Sequence, residues 1–182
     1  RQGILVVPIT SLMQRISPTD WIAGHVLNLV VGQQLDLTAE RNRLQRFGYR
    51  FVPQVMDCGD FSIRGAILDI FPSGAAFPIR IELMDDQIDS LRQFDPETQR
   101  SGNAQQQFKL LPAREFPLDS ESCKRARESL LDRFDINPRS CGLYADLKEG
   151  VAPAGIEYYL PLFFAQTSNL LDYLPEQYSV IV

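Results

Sequence analysis

From Tyr49 to Asp95 the sequence reads "YRFVPQVMDCGDFSIRGAILDIFPSGAAFPIRIELMDDQIDSLRQFD", apolar runs broken by Cys58-Gly59-Asp60, Pro72-Ser73-Gly74 and Asp85-Asp86-Gln87. Short apolar runs punctuated by turn residues predict an antiparallel meander of about four strands. The alternation is plainest in "IRIELM", where Ile79, Ile81 and Leu83 share one side and Arg80, Glu82 and Met84 the other.

The flanks carry a different pattern. "GILVVPIT" has the uninterrupted apolar character of a buried strand and leads into a predicted helix in "SLMQRISPTDWIAG". Ser17, Pro18 and Asp20 supply a capping hydroxyl, an early proline and a first-turn acid. Residues 25–31, "HVLNLVV", form a strand candidate closed by Gly32. Asp36 or Thr38 then caps a helix in which Leu37, Leu44 and Phe47 recur at helical spacing before Gly48 ends it. The polar "PETQRSGNAQQQ" is expected to end the sheet, with "FKLLPA" a short strand after it. A long helix opens at Asp119 or Ser120 and runs to about Phe134, with Ala126, Leu130, Leu131 and Phe134 as its apolar stripe. A second helix ends at Gly150, "GIEYYLPLFF" reads as packing material, and "SNLLDYLPEQYSVIV" as a short helix entering a strand.

The fold class these patterns predict is α/β in the mixed α+β sense. An antiparallel β-sheet domain with a helix, residues 27–112, is inserted into an α/β lobe built from residues 1–26 and 113–182.

Composition narrows the function. The chain has 182 residues, 45% of them hydrophobic and 23% charged, enough for one full domain or two small ones. A net charge of −5 argues against a protein whose main task is coating phosphates. Cys58, Cys123 and Cys141 are scattered, matching neither a disulfide framework nor a zinc site, and read as thiols of a reducing compartment. No apolar run reaches the ~18 residues a membrane span needs, so a cytoplasmic location is expected. The chain opens without Met and closes on "YSVIV", which suggests a segment of a longer protein.

Catalytic patterns are missing. The sequence has no Gly-Lys-Ser/Thr phosphate loop, no GxSxG elbow and no HExxH. With one histidine, His25, no imidazole relay can be assembled. Asp85, Asp86 and Asp89 straddle a predicted hairpin turn and read as solvated turn residues rather than paired carboxylates. A non-enzyme without cofactor or metal is expected.

Arg64 and Asp69 interrupt the apolar stretch "FSIRGAILDIFPSG". Followed by alternation, Arg64 falls opposite Phe61, Ile63 and Ile67, giving a face that carries Arg64, Arg80 and Glu82 beside Leu68, Ile70 and Met84. Forked guanidinium donors beside apolar side chains are the composition of a protein-binding surface. The alternative is that Arg64 pairs internally with Asp69 or Glu82.

"RGAILDIFPSGAAFPIRIELMDDQIDSLRQFDPETQRS" resembles a motif shared by the bacterial excision-repair protein UvrB and the transcription-repair coupling factor (Mfd) family. "VPITSLMQRISP", "LLPAREFP" and "PAGIEYYLPLFF" are similar to the coupling-factor branch in particular, whereas UvrB usually continues its Gly-Ile-Glu as Asn-Tyr-Ser-Arg. The resemblance implies a UvrB-like amino-terminal module whose sheet domain binds UvrA without catalysis. It further implies that the flanking lobe is a degenerate helicase-like domain, and that RNA polymerase and DNA are engaged by other domains of the full-length protein. Carried over by position, the UvrA-contacting arginines fall on Arg64 and Arg80, and a third contact, aromatic in some relatives, on Met84. Ile70 and Glu82 complete the expected contact set. Two alternatives stand beside this reading: a DNA-binding fragment that uses the same arginines on phosphates, or the equivalent domain of UvrB.

Overall fold

The computed structural model describes residues 3–179. In chain order its first elements are α1 (Ile9–Leu12), α2 (Thr19–Gly24), β1 (Leu27–Val30), α3 (Leu37–Arg46), β2 (Arg50–Phe51), β3 (Asp60–Arg64) and β4 (Ile67–Ile70). They are followed by β5 (Ile79–Met84), β6 (Gln87–Phe94), β7 (Ser101–Gln105), β8 (Gln107–Leu110), α4 (Ser120–Arg133) and α5 (Gly142–Lys148). Residues Gly24–Pro117 form one compact unit, and the segments on either side form another.

The sheet unit is tied at its ends by β1 and β8, which pair antiparallel from Leu27↔Leu110 to Val30↔Gln107. Between them lies a six-stranded sheet in the order β2-β3-β4-β5-β6-β7. All neighbours are antiparallel except β2, which runs parallel to β3. The sheet is therefore larger than the four-stranded meander read from the sequence. Strand β7 lies within the polar stretch expected to end the sheet. It is an edge strand exposed along nearly its whole length, so it carries no apolar alternation that could have announced it.

One two-residue turn changes which side chains share a face. Arg64 pairs with Ile67 across Gly65-Ala66, and Gly65 takes a φ of 60° at the first central position, as tight hairpins of this kind require. The alternation is thereby reset. Leu68 and Ile70 fall with Phe61 and Ile63 on the apolar face, and Ile67 and Asp69 with Ser62 and Arg64 on the polar face. Reading residues 61–71 as one continuous strand had assigned Ile67, Leu68 and Ile70 to the wrong sides.

The apolar face packs Phe61, Leu68, Ile70, Ile79, Ile81 and Leu91 against Leu29, Leu44, Phe47 and Leu110. Helix α3 reaches that core through Leu44; Asp36 caps it by accepting the amides of Thr38 and Ala39, and Gly48 follows with a φ of 87°. Turn Asp85-Asp86 joins β5 to β6 across Met84↔Gln87, and Asp85 adopts a left-handed φ of 54°. Asp89 is passed over where pairing shifts from Glu82↔Ser90 to Leu83↔Ile88, a β-bulge.

In the flanking unit, α4 is capped by Asp119 and buries Cys123, Ala126 and Leu130. Leu131 and Phe134, expected on that stripe, are exposed: Leu131 is one residue round from Leu130, and Phe134 has already left the helix in an extended conformation. Ile156–Leu162 forms a 3-10 helix that buries Ile156, Leu160 and Leu162, with Phe163 buried beyond it. The strand expected in the opening apolar run is not formed in residues 3–8, where Ile4 and Val6 are exposed. An apolar run without a neighbouring strand has no ladder to join, and the pairing found among the described flank residues is the single bridge Ile16↔Ser168. The strand expected in "YSVIV" falls largely outside the described residues. No helix among the described residues is long and apolar enough to cross a membrane.

Candidate partner-binding face

Pairing across the ladders gives the polar face two rows. Ser62, Asp69, Arg80, Arg92 and Ala104 succeed one another from β3 to β7, and Arg64, Ile67, Glu82 and Ser90 form the parallel row from β3 to β6. Both candidate arginines therefore lie on one face, on either side of Asp69.

Asp69 is the centre of the arrangement. Its carboxylate is 1% exposed and accepts from Arg80 through Nε to Oδ1 at 2.8 Å and through Nη2 to Oδ2 at 2.9 Å. Arg64 donates from Nη2 to the same Oδ2 at 2.8 Å. A carboxylate so deeply buried needs such donors, because desolvating it unpaired costs several kcal/mol. Two guanidiniums on one carboxylate leave a unit of positive charge on the face.

The two arginines are not equivalent. The Arg80 side chain is 12% exposed and Arg64 49%. Arg80 also donates from Nη1 to the Gln99 carbonyl at 3.1 Å and stacks on the Phe94 ring at 4.6 Å. Its hydrogen bonds to Asp69 raise its already high pKa, against an opposing effect of burial. Arg80 is thus spent within the fold, which corrects the expectation of two outward-projecting guanidiniums; Arg64, with a single N–H on Asp69, is the outward one.

The segment after β6 explains the sequence Asp95-Pro96-Glu97-Thr98-Gln99. Asp95 accepts the amides of Thr98 and Glu97, whose hydrogen bonds hold its carboxyl below the usual range. Gln99 then adopts a φ of 59° and is pinned through Nε2 to the carbonyls of Pro96 and Val55. This aims its own carbonyl at Arg80. The polar segment expected only to end the sheet is a mount for the arginine.

The remaining candidates divide. Met84 is 67% exposed on the strand end of the polar face. Glu82 is half-buried and accepts from Ser90 Oγ at 2.6 Å. Ile70 is 1% exposed in the core, so the expected surface contact through it is corrected: it packs under the sheet. Sequence reasoning missed Arg92, which faces Arg80 directly across the β5–β6 ladder. Alternation within β6 and the β5–β6 register would have placed it. Elsewhere, the His25 ring lies 5.3 Å from that of Phe47. Among the described residues no group of three or more His, Cys, Asp or Glu is arranged to hold a metal.

The sequence has known relatives. Residues 27–116 match the protein family described as the UvrB interaction domain, and the sheet unit is a member of it. Over 176 residues, 96% of its length, the chain is 42% identical to the transcription-repair-coupling factor of Escherichia coli (strain K12). It is 41% identical over 178 residues to that of Haemophilus influenzae (strain ATCC 51907 / DSM 11121 / KW20 / Rd), and 35% over 175 residues to that of Myxococcus xanthus. The chain is homologous along nearly its whole length to a segment of these factors, and spans 15–16% of the length of these relatives.

Proposed function

We propose that this chain is a non-catalytic docking module that binds UvrA through the polar face of its sheet. Within a longer coupling factor it would recruit nucleotide excision repair to a stalled RNA polymerase. The observation that carries the reading is the Asp69 clamp: a deeply buried carboxylate fixes two arginines in place, and one of them, Arg64, keeps most of its fork turned outward on a domain of the UvrB-interaction family.

Arg64 donates charge-assisted hydrogen bonds to carboxylates or carbonyls of UvrA, and Met84 supplies adaptable apolar contact. Arg80 acts mainly as a positioning residue through Asp69. Glu82, with Ser90 on one oxygen, contributes at the rim. ATP hydrolysis has no part in this reading, and DNA is handled by other domains.

Titration of purified UvrA against the wild-type chain and the Arg64→Ala, Met84→Ala and paired variants tests it. Loss of Arg64 weakens binding by about 2 kcal/mol when the guanidinium is desolvated in the interface, and lowers Tm only modestly, because Arg80 still holds Asp69 through two hydrogen bonds. Wild-type affinity in the paired variant refutes the assignment.

A further inference from the structure

Arg92 is the arginine of this face that no acceptor among the described residues takes. It is half-buried on β6 and directly opposite Arg80. Like charges facing each other across a ladder repel, yet no described carboxylate lies within ion-pair distance of Arg92 and no described residue accepts a hydrogen bond from its side chain.

Both nearby acids are engaged. Asp69 is held by Arg64 and Arg80, and Glu82 accepts from Ser90. The next residue along the row toward the sheet edge is Ala104, whose methyl group leaves the approach to Arg92 open, on a β7 strand that is uncharged from Ser101 to Gln105. A partly desolvated cation beside a second cation is costly unless an anion arrives from outside.

Resting on the reading of this face as the UvrA-docking surface, we infer that Arg92 receives a carboxylate side chain of the partner, so that the docking segment is acidic where it passes over β6. The planar fork accommodates a carboxylate through two parallel hydrogen bonds. Arg92 is then a third specificity-determining guanidinium, and the one of the three that has no acceptor among the described residues before docking.

The test is a titration of purified UvrA against the wild-type chain, Arg92→Gln, Arg92→Glu and Arg64→Ala. A parallel titration uses a duplex DNA oligonucleotide at low salt, and Tm is recorded for each variant. Arg92→Gln weakens UvrA binding at least about tenfold and Arg92→Glu more, without a fall in Tm, because removing one of two opposed cations does not harm the sheet. Wild-type UvrA affinity in Arg92→Gln alongside weakened binding in Arg64→Ala overturns the role of Arg92 and leaves the docking face standing. Wild-type affinity in both variants removes the docking reading itself. A loss of DNA binding in Arg92→Gln with UvrA binding intact would assign the residue to phosphate instead.

Discussion

Replacing Arg80 by alanine removes two of the three hydrogen bonds that Asp69 accepts, the bond to the Gln99 carbonyl, and the stacking on Phe94. Hydrogen bonds to a charged group are worth about 1.5–3 kcal/mol each. Taking the lower value for the two at Asp69 gives a loss of about 3 kcal/mol, consistent with the ~3–5 kcal/mol that follows when one partner of a buried ion pair is deleted. Arg64 holds the estimate at the lower end, because it stays bonded to Oδ2. Urea denaturation of the chain measures the effect, with an unchanged slope showing that the same surface is exposed. Adding Asp69→Asn to Arg80→Ala removes the stranded buried charge and recovers part of the stability. A loss under about 1 kcal/mol, or no recovery in the double variant, would show that Asp69 is not the buried anchor described above.

Glu40 is buried beside Arg43 at 3.4 Å, and its Oε2 has no hydrogen-bond partner in the structure. Burial raises its pKa, with Arg43 acting in the opposite direction. Since the folded-state value lies above the unfolded one, Glu40 favours the fold most when protonated, and its contribution declines as pH rises from the ordinary value of 4.5 through the folded-state value. Urea midpoints across that range fall less with rising pH in Glu40→Gln than in the wild type; parallel curves would contradict this. Ile70→Ala costs about 2–5 kcal/mol of stability as a core truncation, while the folded fraction binds UvrA as before. Weakened binding at unchanged stability would return Ile70 to the surface.

Much of this fold was legible where local chemistry dominates. Asp36, Gly48, Asp119 and Gly150 act at helix ends through groups their own backbones present, and the Asp85-Asp86 turn falls where turn residues interrupt the apolar alternation. The errors came from tertiary effects. Strand β7 is exposed along nearly its whole length and so carries no apolar alternation, and the opening run Gly3–Pro8 is apolar yet pairs with no strand among the described residues.

The candidate site was half legible. Arg64, Arg80, Glu82 and Met84 do share the polar face, but the Gly65-Ala66 turn decides which side chains accompany them, and it moved Ile70 inward and Asp69 to the centre. Pairing of Arg64 with Asp69 was one of two readings open in the sequence. That Arg80 takes most of the same carboxylate depends on the Asp69↔Arg80 register, and that Gln99 braces Arg80 depends on a left-handed residue in a loop. Neither leaves a periodic signal.

Met84 offers a direct probe of whether UvrA covers the polar face. It is 67% exposed on that face, while Met13, 75% exposed in the flanking unit, serves as an internal reference. Oxidising the chain with dilute peroxide, with and without saturating UvrA, and quantifying each sulfoxide by mass spectrometry reads the two thioethers separately. Met84 is predicted to oxidise several-fold more slowly in the complex while Met13 reacts at its free rate. Equal oxidation of Met84 with and without bound UvrA would contradict the account.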